Sequence, residues 1–351
     1  MKLYMIKIIY FIVSLILITP NLVLSKSKEE ISLIAVGDIM MGTDFPDKYK
    51  ILPPDDGKDL FIHAKNLLIK GDLVFGNLEQ VLIDGGTCAK NINAPNVWAF
   101  RCPVRFAGNL AKAHFNMMGI ANNHAWDFGT EGVQSTMRAL DEVKIKHSGP
   151  KGDIAKISIK GTRIGLIAFS TNDNGYNLLH IDEAKRFITD IAKEFDIFIV
   201  SFHGGTEGIK ALHTRNQEEF LGKEPRGNVI RFSHMAIDSG ADLVIGHGPH
   251  VPRAMEFYKD KLIAYSLGNF CTYGIISIKK EKGIAPALEV VLDKSGNFIK
   301  GKIHSFKQTY PGYPVLDKKN RAAKLIQTLS HTDFPENEIR IDDRGNITRG
   351  L

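Results

Sequence analysis

The chain has 351 residues, 44% hydrophobic and 24% charged, a globular balance that excludes a disordered or collagen-like polymer. Its formal net charge of +6 is spread along the chain with no Lys/Arg block. That pattern argues against a nucleic-acid partner and leaves attraction to an anionic surface or polymer open.

Lys2 and Lys7 precede an apolar run over residues 8–18, followed by Pro20 and a small-residue cleavage site at Val23-Leu24-Ser25. This is the layout of a secretory signal peptide over residues 1–25, with a run short for a full membrane span. The expectation is an exported protein, periplasmic or extracellular, or one held at the membrane by an uncleaved N-terminal segment. Export permits disulfides. Cys88 and Cys102 are the expected pair, with two buried free thiols as the alternative, and Cys271 is left over.

An apolar run over 31–36 ends in Gly37-Asp38 and reads as a buried strand. Helical spacing covers 60–69. A strand over 72–75 ends in Gly76-Asn77-Leu78-Glu79. Residues 84–103, rich in Gly and Pro, read as an ordered functional loop. A helix over 107–114 leads to a strand over 115–121, closed by Asn122-Asn123-His124. Helices are expected over 131–143, 181–195, 228–239 and 319–329. Strands over 196–202 and 243–245 end in His203-Gly204-Gly205 and Gly246-His247-Gly248-Pro249-His250. Hairpins are expected around residues 160–162, 259–260 and 293–296. One domain over 31–307 and a polar C-terminal extension over 308–351 follow.

Open α/β sheets keep their sites at the carboxyl ends of the strands. Five strand ends here carry metal-capable groups: Asp38; Glu79; Asn123 with His124; His203; and His247 with His250. Taken singly, each has a plain reading as a turn, a cap, a surface charge or a core histidine. Together they suit a divalent ion of intermediate hardness, Mn, Zn or Fe, and metal-assisted attack on a phosphate ester. No G-x-S-x-G nucleophile motif and no phosphate-cradling P-loop is present in the sequence, which disfavours acyl-transfer and ATP-driven ligase chemistry.

The succession G-D, G-N-L-E, N-N-H-x-x-D-x-G, H-G-G-x-E, G-H-x-P-H and S-L-G-N-F resembles the bacterial capsule synthesis, or poly-gamma-glutamate synthesis, family CapA, which looks like a branch of the calcineurin-like metallophosphoesterases. The likeness covers roughly residues 31–307. It implies an α/β fold, a four-layer α/β/β/α sandwich with the metals at the strand ends. By that likeness Asp38, Asn123, His203, His247 and His250 are ligands and His124 faces phosphate, with Asp127 orienting it. The chain departs from the wider pattern in two places. Met40 stands where those enzymes have a histidine, and Asn77 where they have a bridging aspartate. Asn77 and Glu79 are then the candidates for that corner, with one or two metal ions held. Glu207 is a candidate acid/base. Asn269, Arg101 and Arg105 are candidate substrate contacts. Implied partners are an anionic cell-envelope polymer or its phosphorylated intermediate, and a membrane synthase complex. The function implied is capsule biosynthesis with phosphoesterase activity, or a non-catalytic accessory role in polymer synthesis, binding or export.

Overall fold

The computed structural model describes residues 30–350; the expected signal peptide lies outside them. Two large sheets organise the chain. One has ten strands, running from Ile339–Ile341 through Asn346–Arg349, Phe298–Thr309, Ile284–Leu292, Ile31–Met40, Leu73–Leu78 and Met117–Gly119 to Lys146–Ser148, with Asn269–Thr272 and Tyr313–Leu316 added at its flank. The other has seven, ordered Met255–Tyr258, Lys261–Ala264, Leu243–His247, Ile197–His203, Thr162–Ser170 and Ala155–Ile159, with Tyr176–Asn177 beside the fifth. Their central strands are parallel and buried on both faces, which is why they read as continuous apolar runs rather than alternating ones.

Alternate residues of these strands divide between three cores. Leu33, Ala35 and Phe75 of the first sheet meet Leu166, Ile199 and Ile245 of the second, so the sheets face each other. On the outer side of the first sheet, Ile34, Val36 and Val74 pack with Leu68, Leu110 and Leu140. These belong to the helices Lys65–Leu68, Ala107–Lys112 and Gly129–Glu142. On the far side of the second, Phe198, Val200 and Val244 pack with Ile188 and Phe232, from the helices Ile181–Ala192 and Val229–Asp238. The architecture is a four-layer α/β/β/α sandwich, and the expected hairpins are formed.

Three expectations need correction. The helix over 60–69 shrinks to Lys65–Leu68, because residues 58–64 follow a tight turn set by the positive φ of Asp55, Asp56 and Gly57. Residues 308–351 do not trail from the domain. They supply three strands of the first sheet and the helix Arg321–Asp333, whose Ala322, Ala323 and Ile326 enter the core between the sheets. Cys88 and Cys102 are free. Arg101–Cys102 pairs with Val81–Leu82, which sinks the Cys102 thiol into the core, and burial pushes it well above its ordinary pKa. Cys88 Sγ instead donates to the Lys90 carbonyl.

Candidate metal centre

Parallel strands deliver their carboxyl ends to one edge, and register then fixes neighbours. Asp38 is aligned with Asn77 on one side and Asn269 on the other. In the second sheet His203 is aligned with His247. The two sheets thus bring two rows of polar residues together. The approach is close enough that only glycine fits behind Asp38: a Cβ on Gly37 would lie 1.9 Å from the Gly268 carbonyl oxygen. Gly248, at φ +113°, turns the chain between the histidines. His250 itself lies in the left-handed region at φ +58°, rare for a side chain of this size and held here by its hydrogen bonds.

Asp38 is fully buried at the centre. Asn77 Nδ2 donates to its Oδ1 at 2.9 Å, and His250 Nδ1 donates to its Oδ2 at 3.0 Å. His247 Nδ1 stands 3.3 Å from Oδ1. Burial pushes this carboxyl up, but the imidazole rings of His250 and His247 against its two oxygens outweigh burial and hold the group far below the carboxylate range. The same field works in reverse on His250. Burial disfavours its charge, yet Glu79, Asp38 and Glu207 raise it to about 10. His203 is kept neutral by burial, reinforced by Arg226. Glu79 is pushed well above its ordinary value, chiefly by burial.

Several atoms of this cluster have no hydrogen-bond partner: both carboxylate oxygens of Glu79, Nε2 of His203, and both ring nitrogens of His247. Glu79 Oε1 is 3.5 Å from Nε2 of both His203 and His250. Buried polar atoms are rarely left unpaired, and these are carboxylate oxygens and imidazole nitrogens, the donor types a divalent ion takes. One ligand atom from each of Asp38, Glu79 and His203 lies within 4.8 Å of the others. The donor set therefore fits a cation, with His247 and His250 beside it.

The remaining candidates divide. Asn123, His124, Glu207 and His250 line a single cleft of about 1280 Å³. The Asn123 side-chain oxygen is buried and unpaired. His124 Nδ1 lies 2.8 Å from Asp127 Oδ2, and burial lowers the pKa of the ring. Glu207 Oε2 is 4.0 Å from His250 Nε2. Asn269 is fully buried and braces His250, accepting from Nδ1 at 3.0 Å and donating to its carbonyl, so it positions a candidate ligand and does not line the cleft. Arg101 and Arg105 stand outside the cleft. Arg101 is tied to Asp44 and the Gly85 carbonyl, and the exposed Arg105 to Asp56.

Three contributors carry no signal that sequence reading picked up. Asn122 bridges Asn77 and the Leu78 carbonyl; it sits in the Asn-Asn-His motif, one residue before the one singled out. Lys90 reaches from the 84–103 loop to Asp127 Oδ1 at 2.6 Å and to the Asn123 carbonyl at 2.9 Å. Arg226, fully buried, lies 3.4 Å from Glu207.

With this geometry in place, the relatives are informative. Residues 32–273 match the family described as bacterial capsule synthesis protein PGA_cap. The chain is 27% identical over 267 residues to the capsule biosynthesis protein CapA of Bacillus anthracis, covering 70% of this chain and 60% of that protein. It is 27% identical over 270 residues to the PGA biosynthesis protein CapA of Bacillus subtilis, covering 72% and 66%. It thus spans less than two thirds of the length of either relative. Among solved structures, a 5'-nucleotidase precursor from Thermus thermophilus aligns with a TM-score of 0.43 and 12% identity, over 86% of this chain and 59% of that one. The NAD nucleotidase of Haemophilus influenzae aligns at 0.42 and 13%, over 90% and 57%. The family match extends over most of the chain and contains every residue of the buried cluster, and the chain belongs to the bacterial capsule synthesis protein family PGA_cap.

Proposed function

We propose that this chain is a capsule-biosynthesis protein of the cell envelope whose buried cluster holds one divalent ion, manganese, zinc or iron, and hydrolyses a phosphoester of a capsule intermediate. The observation that carries this reading is the set of orphaned, buried ligand atoms on Glu79, His203 and His247, which a cation would satisfy. A bound divalent ion would act there as a Lewis acid on a phosphoryl oxygen. A single ion is favoured because Met40, fully buried, supplies no ligand, and the Asn77 side-chain oxygen, the atom that could coordinate, already accepts from Asn122 Nδ2 at 3.2 Å.

The chain's own residues then divide the work. Asp127 accepts from His124 Nδ1 and fixes the tautomer, leaving the Nε2 lone pair to take a proton in the cleft. Lys90 pairs with the second Asp127 oxygen at 2.6 Å, so the carboxylate and the ring it holds stay oriented. Glu207, on the same cleft, is placed to exchange a proton with a leaving or attacking oxygen.

The deciding experiment is metal quantification on the purified chain, with hydrolysis of methyl p-nitrophenyl phosphate measured alongside. Stoichiometric metal and metal-dependent turnover, both lost in Asp38→Ala and His247→Ala, support the proposal. Protein that takes up no metal, or turnover indifferent to both substitutions, overturns it. The Met40 and Asn77 positions also favour a second reading, an accessory protein that binds an anionic envelope polymer or a membrane synthase without catalysis. Polymer binding that survives Asp38→Ala, with no turnover in the unaltered protein, would select it.

A further inference from the structure

The cleft is far larger than a phosphoryl group needs, and its outer wall has a composition the metal chemistry does not explain. Tyr49 and Trp98 both line it and are 45% and 49% exposed. Their ring centroids lie 5.3 Å apart at 46°. Large aromatic rings side by side and half in water leave apolar faces uncovered, which costs free energy unless a ligand covers them. Lys48 and Lys50 flank Tyr49 on the same wall, and Lys48 Nζ sits 4.9 Å over the Tyr49 ring.

This wall is tied to the reacting end. The Trp98 carbonyl accepts from Lys90 Nζ at 3.2 Å, and that ammonium also reaches Asp127 and the Asn123 carbonyl. Two residues after Trp98, Phe100 lines the cleft and packs its ring 4.8 Å from that of His124. One loop therefore carries the exposed aromatic and braces the catalytic histidine.

Resting on the phosphoesterase reading above, we infer that Tyr49 and Trp98, with Lys48 and Lys50, form a subsite for the ring of a ring-bearing phosphate ester, a sugar or nucleoside phosphate whose phosphoryl group reaches the Asp38–His203 cluster. A linear carboxylate polymer would use the lysines but has no flat face to cover the rings. Stacking on one aromatic side chain changes affinity by about tenfold, so the effect is measurable from a single residue.

The test is calorimetric titration of the metal-loaded full chain with inorganic phosphate, methyl phosphate, glucose 1-phosphate and uridine monophosphate. Glucose 1-phosphate or uridine monophosphate binding about tenfold tighter than methyl phosphate supports the inference, and whichever is preferred assigns the ring as sugar or nucleoside. Trp98→Ala then lowers affinity for the ring-bearing ligand about tenfold more than for inorganic phosphate, and Trp98→Phe restores most of the difference. Equal affinity for all four overturns the inference. So does binding of poly-gamma-glutamate that ignores Trp98→Ala while the ring-bearing ligands fail. Co-sedimentation with anionic phosphatidylglycerol vesicles that depends on Trp98, without ring discrimination, also overturns it and makes the wall a membrane contact. Turnover of methyl p-nitrophenyl phosphate without ring discrimination sinks this inference alone. Ring discrimination by a protein that never turns over sinks the hydrolase reading and leaves the subsite.

Discussion

Gly37 and Glu79 show how tightly single residues constrain the cluster. At Gly37 the Gly268 carbonyl occupies the space a side chain would need, and the same carbonyl accepts from the Asp38 N–H at 2.8 Å. Gly37→Ala must push the strand Asn269–Thr272 away from Ile31–Met40. The expected cost is about 3 kcal/mol, the upper range for overpacking, read from urea denaturation of the metal-free protein, and metal affinity falls with it because Asp38 moves. Glu79 makes the opposite case. Its carboxylate is buried with no hydrogen-bond partner, and burial already drives it toward the neutral acid. An amide of the same shape should therefore fold as well or better. Glu79→Gln is expected to keep or raise metal-free stability while weakening metal binding at least about a hundredfold, given that outer-shell changes alone cost about 10–100-fold. A variant that loses metal-free stability yet, where folded, binds metal with unchanged affinity would show that Glu79 is structural.

At the scale of elements, the hairpin Glu219–Leu221 and Glu224–Gly227 forms one lip of the cleft through Leu221 and Glu224. It is docked by a buried pair: Arg253 donates to both Glu219 oxygens at 2.8 and 2.7 Å and to the carbonyls of Ala211 and Thr206. Glu219→Ala leaves the guanidinium buried without its counter-charge, and a loss of about 3–5 kcal/mol is expected, measured by chemical denaturation. A second element offers a pH test away from the metal. Burial alone would lower the pKa of His147, on the edge strand Lys146–Ser148, but Asp153 at 2.8 Å and Asp141 outweigh it and raise the value above 6.5. Because the folded pKa is raised, this contribution to stability is complete below about 6.5 and fades as pH climbs through the folded value. His147→Gln should flatten that part of the stability profile. Such elements were only partly legible in the chain. Strand ends at Asp38, His203 and His247 were readable because each follows a run of apolar residues long enough to be buried on both faces. Arg226 and Arg253 were not, since charge in a sequence signals surface until a partner distant in the chain is known. Arg101 and Arg105 misled for the same reason: their partners Asp44 and Asp56 lie more than forty residues away. The C-terminal segment looked like an extension because its short strands are half polar, and only the fold supplies the core that Ala322, Ala323 and Ile326 complete.

For the molecule as a whole, the ownership of the site matters most. Asp38, Asn77 and Glu79 come from the ten-stranded sheet or its strand ends, and His203 and His247 from the seven-stranded one. The sheets are otherwise joined mainly by apolar packing of residues such as Phe75, Leu166 and Ile245, which has no directional preference. A cation held by both sets of ligands would add a directional link across that interface. Binding to the folded state alone raises unfolding free energy by RT ln(1 + [L]/Kd), about 2.7 kcal/mol at a hundredfold excess over Kd. Manganese added at that excess should raise the urea midpoint accordingly, and Asp38→Ala should remove the increment. Hydrogen exchange adds a sharper requirement. If the ligands are shared as the geometry indicates, protection must rise together in Leu73–Leu78 of one sheet and Leu243–His247 of the other. Protection confined to the first sheet would mean that the histidines are not ligands, and that the orphaned nitrogens of His203 and His247 serve some purpose other than holding metal.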